Sequence, residues 1–283
     1  MVLGIDFGGT KIALGTTLNG GVRRLPTQPE LGADQAVERA LDAARELVDG
    51  HPVEAVGVVS PGVIGADSIA LAPNVPGWGE LALGDVVRDG LGVETVVVGN
   101  DVAAATLAEV RHGALQGADP ALLLSVGTGI AAGFAIGGRV VEGAHGAAGE
   151  IGYFTNGPEP GVASGRAPLE ERVGGRALLE RGGRSAEDLF ASDDPASRAI
   201  VDAALTEMAV HVANLATLLD PQRIAVAGGL MGSRERVLGA LEERLREATP
   251  FPPELVPARF AADGPLRGAL TLAQDFVDRR RGT

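Results

Sequence analysis

The chain has no cysteine, one lysine, one tryptophan and one tyrosine among its 283 residues. The lack of cysteine excludes disulfides and thiolate-held metals. Positive charge is scarce too: 24 Lys and Arg against 37 Asp and Glu leave a formal net charge of −13. That balance argues against nucleic acid or an anionic membrane surface as the main partner. The N-terminus lacks a basic region followed by an apolar run and a cleavage site, because Asp6 interrupts it. No apolar stretch approaches the length of a membrane span. Cytoplasm is therefore the default compartment. The 45% hydrophobic and 22% charged content suits a soluble globular protein of one large domain or two ordinary ones.

Glycine, by contrast, is abundant: 42 residues without a collagen-like period, clustered beside short apolar runs. Such clusters mark tight turns where backbone must come close to a ligand. The three singletons fall in such segments. Lys11 ends Gly4-Ile5-Asp6-Phe7-Gly8-Gly9-Thr10-Lys11, Trp78 ends Asn74-Val75-Pro76-Gly77-Trp78, and Tyr153 follows Gly149-Glu150-Ile151-Gly152.

Hydrophobic periodicity gives an α/β chain. Residues 2–6 and 12–17 read as a β-hairpin around a Gly-Gly-Thr turn. Residues 34–48 have helical spacing, with Asp34 as the expected N-cap. Residues 53–59 and 95–98 read as strands, and 102–111 as a helix entered through Asn100 and Asp101. A second strand-turn-strand unit spans 121–137 around Ser125-Val126-Gly127-Thr128-Gly129. It echoes the first and predicts a duplicated architecture. A long buried helix is expected at 201–219, a strand at 224–227 ending in Gly228-Gly229, a charged amphipathic helix at 233–248 and a last helix at 265–278. The Gly/Asp-rich stretch 113–120 is the expected boundary between halves.

Four segments carry candidate chemistry. In Asp6 to Lys11, the glycines let consecutive N–H groups turn toward an anion, Thr10 adds a hydroxyl and Lys11 a compact charge. Asp6 then stands where a Mg²⁺ bridging phosphates could be held, directly or through water. A plain hairpin with a solvent lysine fits the same residues, and the segment is not a Walker A loop. The segment Gly127-Thr128-Gly129 to Gly133 fails the dinucleotide-fingerprint test, because a strand follows it rather than a helix; it reads as a second phosphate-facing turn. Asp101 at a helix start is either an N-cap or a carboxylate that accepts a proton from a substrate hydroxyl, with Asn100 beside it for a sugar hydroxyl. Glu150 lies among small residues that would let a ligand approach, whereas His145 has no partner at metal-ligand spacing and reads as structural.

Taken in order, these segments resemble the ROK family of sugar kinases and repressors, within the actin-like ATPase superfamily, over nearly the whole chain. Asp6 to Lys11 is similar to the family's first phosphate motif. Ser60-Pro61-Gly62 and Asn74 to Trp78 resemble the sugar-side loop, and Asn100-Asp101 the catalytic segment. Ser125 to Gly133 is similar to the second phosphate motif, Glu150 to a sugar-binding glutamate, and Val226 to Gly229 to the adenosine motif. The resemblance implies two actin-like (ribonuclease H-like) lobes with an active-site cleft between them. The small lobe would be 1–116, with the helix 265–283 packing back on it; the large lobe would be 117–264.

The resemblance further implies ATP and Mg²⁺ as cofactors and Asp101 as general base. Gly62, Asn74, Asn100, Glu150, Tyr153 and Glu170 would be sugar contacts; Asp6, Gly8, Gly9, Thr10, Lys11, Gly127, Thr128, Gly129, Gly228 and Gly229 would bind the nucleotide. Many members place a histidine where Tyr153 stands, then a cysteine-rich zinc motif. Here residues 155–168 hold no cysteine, so no zinc site is expected, and Pro158, Pro160 and Pro168 are expected to stiffen the loop. The expected activity is phosphorylation of a hexose, glucose first, with no nucleic-acid or membrane partner and a homodimer or homotetramer as the implied assembly. Fructose, N-acetylglucosamine or N-acetylmannosamine as acceptor and polyphosphate as donor are the alternatives. A non-catalytic sugar-sensing regulator is the other class; family repressors carry an N-terminal helix-turn-helix, whereas this chain opens its first phosphate strand at Val2.

Overall fold

The computed structural model describes residues 1–18, 20–72, 75–158, 161 and 165–282. The chain divides into two compact units. Unit 1 comprises Met1–Ala108, Glu142–Ala147 and Asp263–Thr283; unit 2 comprises Glu109–Val141 and Ala148–Ala262.

In chain order the strands and helices are β1 (Val2–Phe7), β2 (Lys11–Thr16), β3 (Val22–Pro26), α1 (Gly32–Val48), β4 (Ala55–Ser60), β5 (Val63–Ile64), β6 (Ile69–Ala70), α2 (Leu83–Leu91), β7 (Val96–Asn100) and α3 (Asp101–His112). They continue with β8 (Ala121–Val126), β9 (Ile130–Ile136), β10 (Arg139–Val140), α4 (Glu170–Val173), α5 (Gly175–Gly182), α6 (Ala186–Ala191), α7 (Pro195–Leu219), β11 (Arg223–Ala227), α8 (Arg234–Ala248), β12 (Glu254–Pro257) and α9 (Gly264–Arg281).

Each unit holds one five-stranded sheet, and the two have the same plan. In unit 1 the order is β3-β2-β1-β4-β7, in unit 2 β10-β9-β8-β11-β12. Three antiparallel strands are followed by two parallel ones in both. This is the ribonuclease H-like sheet of actin-like proteins, present twice, as the two similar strand-turn-strand segments predict.

The central strands β1 and β4 are buried along their whole length, which explains why they read as unbroken apolar runs. In β1, Leu3, Ile5 and Phe7 pack with α1 (Val37, Ala40, Leu41) and Trp78, whereas Val2 packs with Ala273 and Val277 of α9. The two-residue period puts Asp6 on the same side as Val2, at the strand's C-terminal end. In unit 2 Leu122, Leu124 and Val126 pack with Met208 and Val212 of α7 and Leu241 of α8.

Three expectations are corrected here. Helix α1 starts at Gly32, with Leu31 and not Asp34 at its N-cap; a short 3₁₀ turn, Pro29–Leu31, leads into it, so Asp34 sits inside the first turn. Helix α7 starts six residues before the expected 201, because Asp194 caps it by accepting from the N–H groups of Ala196 and Ser197. This lengthening also overturns the reading that no segment approaches a membrane span. By length and composition Pro195–Leu219 is long and apolar enough. Its apolar residues, Val201, Leu205, Met208 and Val212 among them, are packed in the core of unit 2, as in the central helix of a folded domain.

Candidate active site

In unit 1 the site residues gather at the C-terminal ends of the parallel strands, the edge where α/β sheets bind ligands. Asp6 pairs in register with Val59, and Ser60 with Asn100. Asp6 is only 6% exposed. Burial, then the negative charge of Asp101, push its pKa up to about 7; the Lys11 ammonium opposes that shift and the Asp263 carboxylate adds to it. The nearby charge of Asp101 makes Asp6 hold its proton more tightly than burial alone would.

Asp101 is the first residue of α3 and half-buried. Desolvation lifts its pKa to about 6, against the pull of the Val102 N–H and its own N–H. The capping task belongs to its neighbour: Asn100 Oδ1 accepts from the N–H groups of both Val102 and Ala103. Asp101 Oδ1 accepts from Val102 N–H. The capping bonds at the start of α3 are therefore made mainly by Asn100. Asn100 also donates from Nδ2 to the Gly62 carbonyl at 3.0 Å, so its side chain ties the loop after β4 to the start of α3.

The turn between β1 and β2 is closed by Gly8 N–H donating to the Lys11 carbonyl at 3.0 Å. Gly8 is required there, since a Cβ would lie 2.7 Å from that same carbonyl oxygen. Thr10 and Lys11 are exposed, and Gly9 half-exposed. Trp78 is buried, donates from Nε1 to Ser60 Oγ at 2.8 Å and packs on Phe7 with ring centroids 5.2 Å apart. Asn74 lies outside the described residues.

In unit 2 the turn Gly127-Thr128-Gly129 has the same construction. Gly127 N–H closes it on the Gly129 carbonyl, and the carbonyls of Gly127 and Thr128 accept from the N–H groups of Gly175 and Arg176 at the start of α5. Gly228 adjoins this turn: at φ 99° its Cβ position would be 2.3 Å from the Val126 carbonyl oxygen. The Cβ position of Gly127 is in turn 3.6 Å from Gly229 N. The parallel pairing of β8 with β11 brings the two glycine pairs side by side.

The third group in unit 2 is Glu150, Tyr153 and Glu170. Gly152 accepts from Leu169 N–H at 3.0 Å, which draws the two segments together across a long loop. The Tyr153 hydroxyl has its pKa raised by burial first, then by the charges of Glu150 and Glu170. Glu170 is exposed yet engaged: Oε2 accepts from Ile130 N–H at 3.2 Å and lies over Gly129. It therefore borders the Gly127-Thr128-Gly129 turn as well as Tyr153. Across the cysteine-free loop, Glu207 on α7 accepts from Asn156 and from Arg172, joining the loop's two ends. Among the described residues no group of three or more His, Cys, Asp or Glu could hold a metal. Of the prolines expected to stiffen that loop, Pro160 lies outside the described residues.

Sequence reasoning missed Thr27, Asp263 and the N–H groups that open α5. Only Thr27 left a signal, a lone threonine directly after the Pro26 end of a strand. The others are near the site through folding alone.

A sequence model of the ROK family matches residues 2–276. The chain is 29% identical over 278 residues to the glucokinase of Halalkalibacterium halodurans, covering 85% of this chain and 84% of that one. Among solved structures it is similar to the ROK hexokinase of Thermus thermophilus, with TM-score 0.79 and 32% identity over 98% and 99% of the two chains. It is also similar to a ROK glucokinase from Streptomyces griseus in complex with glucose and AMPPNP, with TM-score 0.80 and 28% identity over 97% and 99%.

Proposed function

The chain belongs to the ROK family, and from that premise we propose that it is a sugar kinase that transfers the γ-phosphoryl group of ATP to a hydroxyl of glucose, giving glucose 6-phosphate and ADP. The observation that carries this reading is Asp101, a carboxylate with raised pKa beside Asp6 and the Gly-rich turn that ends in Lys11. Support for the substrates comes from the relatives, a glucokinase and a glucokinase bound to glucose and AMPPNP.

In this reading Asp101 orients the sugar hydroxyl and takes its proton. The hydroxyl oxygen bonds to the γ-phosphorus while the bond to the β-phosphate bridging oxygen breaks, and ADP leaves with that electron pair. Phosphoryl transfer asks mostly for positioning and charge stabilisation. In unit 1, Lys11 and the N–H groups of its turn suit this task, and in unit 2 so do those of the Gly127-Thr128-Gly129 turn. In unit 2 the reading assigns Gly228 and Gly229 to the adenosine and Glu150, Tyr153 and Glu170 to sugar contacts. Asp6 suits Mg²⁺: a buried carboxylate with no cage of three or more protein ligands among the described residues fits an ion held mainly by phosphates and water. When bound, the ion would neutralise phosphate charge.

The experiment is ADP release from ATP and Mg²⁺ across glucose, fructose, N-acetylglucosamine and N-acetylmannosamine. Turnover with glucose preferred is expected. Nucleotide binding without turnover on any sugar would end the kinase reading.

A further inference from the structure

The first phosphate turn is held from behind by a residue that no motif names. Thr27, 2% exposed at the end of β3, contacts the turn twice. Its Oγ1 donates to the Gly8 carbonyl at 2.6 Å, and its N–H donates to the Thr10 carbonyl at 2.9 Å. With Gly8 N–H on the Lys11 carbonyl, three of the four carbonyls from Gly8 to Lys11 are drawn to protein donors. The N–H groups of Gly9 and Thr10, by contrast, have no backbone acceptor among the described residues. Thr27 is itself anchored: Arg39 of α1 donates from Nη1 to the Thr27 carbonyl at 3.1 Å and from Nη2 to the Pro26 carbonyl.

We propose that Thr27, braced by Arg39, is a positioning residue for nucleotide phosphates: it turns the carbonyl oxygens of Gly8 and Thr10 inward, so that the turn offers a phosphate its N–H groups. The electrostatic reason is direct. A carbonyl oxygen facing a phosphate repels it at short range, and a nest binds anions only while its N–H dipoles point outward. The same device occurs in unit 2 with different parts, where the N–H groups of Gly175 and Arg176 take the carbonyls of Gly127 and Thr128. The hydroxyl is the decisive element, because valine at position 27 keeps the shape and the N–H bond but leaves the Gly8 carbonyl without its donor.

This inference rests on the kinase reading for its ligand, and its test separates the two. AMPPNP binding to the full chain is measured by calorimetry, with glucose binding followed through Trp78 fluorescence. Thr27→Val should weaken AMPPNP about tenfold, the scale of one hydrogen bond that leaves its acceptor unpaired. Glucose affinity should stay within twofold, and Thr27→Ser should restore nucleotide binding. In turnover, KM for ATP should rise while KM for the sugar does not. Unchanged AMPPNP affinity in Thr27→Val overturns the inference, as does a Thr27→Ser variant as weak as Thr27→Val. Should Thr27→Val not fold, Arg39→Gln decides: AMPPNP weakened threefold or more supports the inference, and an unchanged value overturns it. A wild-type protein that binds AMPPNP but phosphorylates no sugar removes the kinase reading and leaves the Thr27 result standing. A wild-type protein that does not bind AMPPNP overturns both.

Discussion

The negative charge of Asp101 raises the pKa of Asp6, second only to burial, although 95 positions separate them in the sequence. The two carboxyls stand at the ends of β1 and β7, on either side of β4, and the sheet order makes them neighbours. In the free protein one acid titrates near pH 7 and the other near pH 6.

A pH profile reads this pair. A base must be deprotonated to accept a proton, so kcat/KM should fall as pH drops through about 6, approaching tenfold per unit, and level off above about 8. A profile flat from pH 5 to 8 would contradict Asp101 as the base. Asp101→Asn should lower kcat by roughly 10²–10⁴ and lose the acid limb, with glucose binding retained.

The same acid should weaken the fold. Its folded pKa of about 6 exceeds the ordinary 3.8, so the native state favours the protonated form. No penalty exists below pH 4; it grows between 4 and 6 and is constant above. Asp101→Asn should therefore melt higher than wild type at pH 8, by an amount on the order of 2 kcal/mol, and equally at pH 4. Melting curves at the two pH values check this.

Lys11→Arg keeps the charge and changes its shape. A planar guanidinium is bulkier than an ammonium and prefers bidentate partners, so KM for ATP should rise about tenfold with sugar affinity unchanged. Steady-state kinetics with each substrate varied separates the two.

Gly228→Ala should be the more damaging change to the fold. The residue has φ 99° and its Cβ would overlap the Val126 carbonyl at 2.3 Å. Backbone cannot yield as a flexible side chain can, so a loss of about 3 kcal/mol is expected, visible as a lower melting temperature or as insoluble protein.

Chelation distinguishes a substrate-borne ion from a structural one. EDTA should stop turnover, and excess Mg²⁺ should restore it. Melting temperature without nucleotide should not move; a large drop would mean that a metal stabilises the fold.

Most elements were legible because their signals are local. Alternating or unbroken apolar runs marked β1, β4, β8 and β11, and the resemblance between the two hairpin segments announced two similar sheets. The α7 start was misplaced because its cap, Asp194, precedes the apolar repeat by several residues. Asp34 was taken for a cap because residue type alone does not show the 3₁₀ turn ahead of it.

The turn around Gly8 to Lys11 and the helix start at Asn100-Asp101 were determined by the sequence itself, since residue type and spacing dictate which groups a turn or a helix start can present. The Asn100 cap on α3, the raised pKa of Asp6 near Asp101, and the Thr27 hydrogen bonds behind the turn were decided by tertiary structure. Each depends on distances between strands that are far apart in the chain, and such distances are set by sheet order and burial.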